Sequence, residues 1–432
     1  MDTLLYPASI DWEVTPFCNH NCIHCYNCWR SINDKSCDVR FNQEVSSDWF
    51  NRIAGQIIKS KPVSVIITGG EPLSVYWQIE EAMKLLIQSG IYVSMNTNLT
   101  LMNDAIAESI KKMGIHIFTS IPSADPVICD QVTGIKGSFQ RIDEGIKLCL
   151  RYNIPLATNM VVTKLNEVSI AATAKYIKSL GMNYFCCTKA AFPANANEDL
   201  RHQILSHDEF SEILSSLIEI GKDLNLDVDS AWAYSLCGLD QAHIPYFGFK
   251  RRCGAGRFNF AVTYTGDIKA CNVDTVVYGN ILTDEFSVAI NRMTDWQTNV
   301  FLPVECQKCQ SLYLCGGGCR LEAENSFGDK CHLDSTAEIA NIERTVTPPQ
   351  LLPVNRKAQF QLNNDVCFVK EAICYRVSRR SHYEFISSEC RDFFETHAQF
   401  TFHQFRDELG LTDELAEYEF NEFIDKQFVV EI

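Results

Sequence analysis

Over the first 230 positions, short apolar runs alternate with amphipathic stretches. Ile10–Thr15, Ser64–Thr68, Tyr92–Asn96, His116–Ile121, Pro155–Val162 and Tyr184–Thr188 read as strands. Between them, Ser47–Ser60, Val75–Ser89, Asn103–Met113, Ser138–Tyr152 and Ser169–Leu180 carry apolar residues at helical spacing. Ser47, Asn103, Ser138 and Ser169 stand where caps are expected, and Gly90, Gly114 and Gly181 where left-handed terminators are. Alternation of this kind predicts parallel βα units, and six of them suit an incomplete (β/α)6 barrel of the TIM type. Ligands bind such folds beyond the C-terminal ends of the strands. The polar residues expected there are Gly69, Gly70, Glu71, Pro72, Thr97, Asn98, Ser120, Thr158 and Asn159. Thr97-Asn98 equally suits a plain strand-end turn.

The pattern changes twice further on. Residues 231–346 are rich in cysteine and short of long periodic runs. Three prolines within Thr347–Pro353 then read as a linker. Residues 354–432 have a pattern of their own: Gln359–Leu362, Val366–Val369 and Cys374–Val377 as strands, then Ser387–Thr396, Phe402–Leu409 and Asp413–Lys426 as helices. Phe393, Phe394, Phe405, Leu409, Leu415, Tyr418, Phe420, Phe423 and Phe428 are the expected core of this tail, and the acids of its last helix a solvated face. Three segments follow: a barrel at 1–230, a cysteine block at 231–346 and a small domain at 354–432.

Composition narrows the classes. A net charge of −16 over 432 residues argues against a general nucleic-acid surface. No apolar run approaches the length of a membrane span, and the start Met1–Pro7 lacks the features of an export signal. The 20 cysteines therefore point to reduced thiols in the cytoplasm rather than to disulfides. Cys28, Cys37, Cys129, Cys149, Cys186 and Cys187 lack ligand spacing and read as buried small hydrophobes or loop thiols.

Cys18, Cys22 and Cys25 do have it. Their C-x3-C-x2-C spacing lets three thiolates converge from one loop, one fewer than usually holds a [4Fe–4S] cluster. A zinc knuckle is the competing reading. The strand Ser64–Thr68 then delivers Gly69-Gly70-Glu71-Pro72. Together the two stretches resemble the signature of the radical S-adenosylmethionine (SAM) enzymes. That resemblance implies the same partial barrel, SAM chelating the open iron, and cleavage of SAM to a hydrogen-abstracting 5′-deoxyadenosyl radical. It also implies that Gly69, Gly70 and Glu71 meet the SAM amino group, with Thr97, Asn98 and Ser120 near its ribose or carboxylate. Relatives often carry an arginine where this chain has Thr133, so Lys136 and Lys189 become candidates for the carboxylate.

The second cysteine block has the order Cys253, Gly266, Cys271, Cys306-x2-Cys309-x5-Cys315-x3-Cys319 and Cys331. Cys306-x2-Cys309 alone would also suit zinc. The full register resembles the SPASM auxiliary-cluster domain. By position, that likeness implies a proximal cluster on Cys253, Cys271 and Cys319, and a distal one on Cys306, Cys309, Cys315 and Cys331. With the SAM-binding cluster this makes three [4Fe–4S] clusters. A fourth proximal ligand of some relatives is replaced by Asn259, which leaves an open iron or another ligand such as Cys237. Sulfatase-maturing relatives have an aspartate directly after the cysteine matching Cys271; here Asn272 stands there, and Asp274 is either a displaced base or a plain loop aspartate.

The tail is similar in element order to the PqqD-type recognition element, a winged-helix-like module. This implies capture of a precursor peptide's leader by strand addition, with Arg376, Arg379 and Arg380 meeting an acidic leader. The expected function is an oxidoreductase that crosslinks a ribosomally made precursor through a carbon–carbon (including cyclophane) or thioether bond, with flavodoxin or ferredoxin as electron donor. Side-chain oxidation of the sulfatase-maturing type, peptide epimerisation, and a non-catalytic iron–sulfur sensor or electron carrier are the alternatives.

Overall fold

The computed structural model describes residues 6–27, 45–192, 194, 198–231, 233–248, 252–335, 337, 354–371 and 374–432, with backbone alone at 198–199 and 313–314. Cys28, Cys37 and the Thr347–Pro353 stretch lie outside the described residues.

The six expected strands are present, each within one residue of its expected ends: β1 Ser9–Thr15, β2 Ser64–Gly69, β3 Tyr92–Thr97, β4 His116–Ser120, β5 Leu156–Val162 and β6 Tyr184–Lys189. All neighbours among them pair in parallel. Their helices are α1 Ser47–Lys59, α2 Tyr76–Gln88, α3 Asp104–Met113, α4 Pro126–Thr133, α5 Ser138–Arg151 and α6 Ile170–Ser179. β1 explains the arrangement. Ile10, Trp12 and Val14 are buried against the helices, with Trp12 edge-on to Phe50 of α1 at 6.0 Å. Each such side chain stabilises the fold by roughly 1.5–3 kcal/mol. The alternate residues Asp11 and Glu13 face the lumen, as a period of two requires.

Local chemistry shifted some boundaries. Ser46, not Ser47, caps α1 by accepting from Trp49 N. Gly137 precedes α5 in left-handed backbone, and Ser169 makes no side-chain cap bond. Asn103 caps α3 as expected. Helix α4 was not expected; Asp125 caps it through the Val127 and Ile128 amides, and Pro126 occupies its first turn.

Two further parallel strands extend the sheet: β7 Asp227–Asp229 beside β6, and β8 Asn259–Thr263 beside β1. An antiparallel pair, β9 Asp267–Lys269 and β10 Gly279–Asn280, completes a ten-stranded sheet of order β10-β9-β8-β1-β2-β3-β4-β5-β6-β7. One apolar core runs from Ile10 to Leu321, so part of the cysteine block is built into the barrel wall.

The tail has a separate core. It holds two small antiparallel sheets, β15-β11-β16 and β12-β13-β14, built from β11 Gln359–Leu362, β12 Cys367–Lys370, β13 Tyr375–Arg379, β14 His382–Ile386, β15 Phe400–Thr401 and β16 Val429–Glu431. The last three were not expected. Phe393, Phe394, Phe405, Phe420, Phe423 and Phe428 are buried as expected. Leu415 and Tyr418 are not, at 46% and 53% exposed, because Ala416, Phe420 and Phe423 take the inward face of helix Asp413–Asp425.

The expected arginine patch does not form. Arg376 is 1% exposed; it pairs with Glu371 and donates to the Pro7 and Lys61 carbonyls, just before β1 and β2. Arg379 is tied to Asp365 and Gln427, which leaves Arg380 exposed. The tail is thus fastened beneath the N-terminal ends of the strands. Among the described residues, no helix is long and apolar enough to cross a membrane.

Candidate functional site

At the opposite end of the barrel, β1 runs directly into the cysteine loop. That loop is held by backbone hydrogen bonds on two sides. Asn21 N and Ile23 N donate to the Thr133 and Val132 carbonyls at the end of α4, at 2.9 and 3.0 Å. On the other side, Gly70 N and Glu71 N donate to Thr15 O and Phe17 O at 2.6 and 2.7 Å. This contact explains both glycines. A Cβ at Gly69 would stand 2.4 Å from Thr15 O, and one at Gly70 1.9 Å from Phe17 O. The missing side chains make room for the cysteine loop's stem.

Glu71 joins this loop to β3. Its carboxylate accepts from Thr97 Oγ1 at 2.6 Å, Asn98 N at 2.8 Å and Leu73 N at 2.9 Å. Burial nevertheless pushes its pKa up to about 6. Asn98 Nδ2 donates to Asn19 Oδ1 at 2.9 Å and reaches Cys18 Sγ at 3.9 Å. Thr133, where relatives have arginine, is buried, and its hydroxyl bonds Ser138 Oγ at 2.7 Å and Cys129 O at 3.0 Å. It is a strut.

These elements enclose a cavity of about 380 Å³. Cys18, Cys22, Cys25, Gly70, Glu71, Thr97, Asn98, Ser120 and Asn159 lie on its wall; Gly69, Pro72 and Thr158 do not. Of the two lysine candidates, Lys136 is exposed and off the cavity. Lys189, at the end of β6, is 2% exposed on the wall, with Nζ 3.1 Å from Ser335 Oγ. His20, Tyr26 and Thr188 also line it and were not expected. Tyr26, adjacent to Cys25, was the most findable of these. His20 is held neutral, with a pKa pushed down to about 4 by burial.

A second cavity of about 310 Å³ shares Tyr26 and Val273 with the first. It holds the Glu13–Lys269 ion pair at 2.9 Å, and Asn272 Nδ2 donates to Tyr26 OH at 3.1 Å. Asp274 lies there as well. It is not an exposed loop residue: it is 3% exposed, and its Oδ2 has no hydrogen-bond partner among the described residues. Burial raises its pKa.

The second cysteine block forms two groups. Cys253, Cys271 and Cys319 are electrostatic neighbours, and Cys319 N donates to Asp334 Oδ2 at 3.0 Å. Cys306, Cys309 and Cys315 form the other group. Gly316, Gly317 and Gly318 all have positive φ, 72, 83 and 76°, so the chain can reverse between Cys315 and Cys319. Cys331 stands apart, exposed, with its thiol donating to Val300 O at 3.3 Å. Cys129, Cys149, Cys186 and Cys187 are buried. Among the described residues, no three His, Cys, Asp or Glu side chains are gathered tightly enough for a single metal ion; Cys18, Cys22 and Cys25 share a cavity wall instead. Three thiols on one wall are the right donor type for an iron–sulfur cluster.

Residues 12–177 match the family model of the Radical SAM superfamily. The chain is 25% identical over 363 residues to the antilisterial bacteriocin subtilosin biosynthesis protein AlbA of Bacillus subtilis, covering 80% of this chain and 74% of that one. It is also 25% identical over 343 residues to the AdoMet-dependent heme synthase of Methanosarcina barkeri, covering 75% and 94%. Similar solved structures include anSMEcpe with bound AdoMet (TM-score 0.61, 17% identity, 76% of this chain and 94% of that one). Streptococcus suis SuiB bound to precursor peptide SuiA is another (TM-score 0.58, 17% identity, 78% and 77%). At that identity the structural likeness establishes the fold. Residues 12–177, from β1 almost to the end of α6, are thus the part of the chain that carries the match to the Radical SAM superfamily.

Proposed function

We propose that this chain is a radical SAM enzyme that modifies a ribosomally made precursor peptide, joining two of its side chains. The observation that carries the reading is the convergence of Cys18, Cys22 and Cys25 with the Gly70–Glu71 turn on one cavity at the strands' C-terminal ends. The likeness to AlbA, and to SuiB bound to its precursor peptide, favours a peptide substrate. When bound, a [4Fe–4S] cluster with SAM supplies a radical able to take hydrogen from an unactivated C–H bond.

The chain's own residues hold and orient. Cys18, Cys22 and Cys25 are the cluster ligands, and Asn98 fixes their loop through Asn19. Gly70, Thr97, Asn98, Ser120 and Asn159, on the cavity wall, would surround SAM, and Lys189 would supply the cation for its carboxylate that Thr133 cannot. Cys253, Cys271 and Cys319 hold a proximal auxiliary cluster, and Cys306, Cys309 and Cys315 belong to a distal one. Clusters held there would supply an acceptor for the surplus electron, and a flavodoxin or ferredoxin would be the external electron donor. Asp274, buried in the adjoining cavity with an unpartnered oxygen, takes the proton released during bond formation.

Residues 354–432 recognise the leader, residues 231–346 form the auxiliary-cluster domain and residues 1–230 the barrel. A groove of about 450 Å³ runs between β14 and helix Asp413–Asp425. Among the described residues β14 pairs only with β13, so its other edge is open to strand addition. Glu384, Glu389, Glu419 and Glu422 rim the groove, with Leu409, Leu411 and exposed Tyr418 in its wall. A basic segment with apolar anchors fits this chemistry, in place of the acidic leader inferred from the arginines.

Reduced protein reconstituted without oxygen should convert SAM to 5′-deoxyadenosine, and Cys22→Ala should abolish that. A short peptide encoded beside this gene should become lighter by two hydrogen atoms. Normal 5′-deoxyadenosine production by Cys22→Ala would overturn the reading. Glu419→Lys should weaken binding of the labelled leader by about tenfold, a loss of about 1.4 kcal/mol, without changing SAM cleavage; unchanged affinity would remove the groove from the account. Tetrapyrrole chemistry is a second reading, favoured by 94% coverage of the Methanosarcina barkeri heme synthase. It wins if the protein binds porphyrins and leaves the peptide untouched.

A further inference from the structure

Register alone assigns Cys331 as the fourth thiol of the group Cys306, Cys309 and Cys315, but the fold brings another cysteine there. The short turn Leu236–Gly238 packs against the loop that carries Cys315. Leu236 N donates to Cys315 Sγ at 3.3 Å. Ser235 Oγ stands 2.8 Å from where a Cβ on Gly318 would be, so Ser235 and Leu236 both lie against the loop from Cys315 to Gly318. Gly317 in turn lies against Cys306, with Sγ 4.0 Å from its Cβ position. Cys237, within this turn, acts electrostatically on the Cys306 thiol, as Cys315 and Cys309 do. The electrostatic neighbours of Cys331 are Asp329 and Arg320, and its thiol is turned to the Val300 carbonyl.

We propose that Cys237, Cys306, Cys309 and Cys315 are the ligands of the distal iron–sulfur centre and that Cys331 lies outside it. This rests on the reading of the second block as iron–sulfur ligands. Cys237 comes from the segment between β7 and β8, 69 positions before Cys306 by their numbers. The centre would therefore tie that segment to the Cys306–Cys319 loop, whereas the register set would join only positions from Cys306 to Cys331. An exposed Cys331 stays available as an ordinary surface thiol.

The full chain is tested in a background with Cys18, Cys22 and Cys25 all changed to alanine, so that only auxiliary iron is counted. After anaerobic reconstitution with iron and sulfide, Cys237→Ala should lower bound iron by about four per chain, with a matching loss of sulfide and of Mössbauer signal. Cys331→Ala should leave both unchanged. Loss on Cys331→Ala, alone or together with loss on Cys237→Ala, overturns the assignment, as does unchanged iron in Cys237→Ala. A parent background that binds no iron overturns the iron–sulfur reading itself, and the assignment with it. Alkylation of the cluster-loaded wild-type chain, read by peptide mass spectrometry, keeps the test independent of folding in the variants. Cys331 should be modified and Cys237 protected; the reverse pattern overturns the proposal.

Discussion

The two ends of the barrel are fastened by different kinds of interaction. At the C-terminal end, the cysteine loop is stitched down by main-chain hydrogen bonds to the Gly69–Pro72 turn and the end of α4. At the N-terminal end, the tail is pinned by a buried guanidinium, Arg376, reaching two carbonyls and Glu371, beside the Phe258–Tyr383 ring contact. Main-chain stitching tolerates most side-chain changes and fails where a Cβ would enter the seam. Charge pinning concentrates the energy in one residue. The first end should therefore break through a methyl group, the second through the loss of a charge.

The largest effect is expected at the first end. Gly70→Ala places a Cβ 1.9 Å from Phe17 O, a main-chain atom that cannot move without carrying Cys18 with it. A displacement near 1 Å is enough to cost about 100-fold in rate. The variant should keep its circular dichroism spectrum and lose at least that factor in 5′-deoxyadenosine formation. Rates within twofold of wild type would show that the seam has slack.

At the second end, Arg376→Ala takes the guanidinium away from the buried Glu371 carboxylate and leaves two carbonyls without their donor. Breaking a buried pair from one side costs about 3–5 kcal/mol. The loss should appear as faster amide exchange across β12, β13 and β14, with protection of β1 to β6 unchanged. Adding Glu371→Gln should recover part of it, because the buried charge that Arg376 balanced is gone. Protection that falls equally across the barrel would mean that the tail is an integral part of the core rather than a pinned module.

The same contrast explains what could be read from the sequence. Strands β1 to β6 are buried and punctuated by helices, so each appears as a compact apolar run, and the motif residues sit at their ends. The cavity's cysteines and its Gly70, Glu71, Thr97, Asn98 and Ser120 were legible for that reason. Strands β7, β8 and β14 were not. The first has three residues, the second lies among the cysteines, and the third, His382–Ile386, mixes charge and aromatic residues on a half-buried edge. Arg376, Arg379 and Arg380 looked like a surface patch because a sequence cannot show that β13 turns Arg376 inward onto residues more than 300 positions away. At Cys331 the ligand register and the fold point to different residues, because the turn carrying Cys237 enters from a distant part of the chain.

The smallest effect lies between the two ends, on β1 itself. Asp11 faces the lumen beside Glu13 and Lys269, and burial, reinforced by Glu13, pushes its pKa up to about 7 from 3.8. Below pH ~4 the carboxyl is protonated whether the chain is folded or not, and it contributes nothing to the pH dependence. Between that pH and about 7, the folded protein keeps a proton that the unfolded chain has released, so stability falls as pH rises and the full penalty is present above 7. The rise from 3.8 to about 7 corresponds to about 4 kcal/mol, and solvent reaching a half-buried group in an open lumen should reduce this to about 2 kcal/mol. Asp11→Asn removes the ionisation. It should match wild type in guanidinium unfolding at pH 4 and exceed it at pH 8, with the difference growing through the interval. Lys269 would remain paired with Glu13, so the pinned and stitched ends should both be unaffected. A stability difference that stays constant from pH 4 to pH 8 would mean that the lumen hydrates Asp11 as fully as bulk water does, and that the middle of β1 is no drier than its ends.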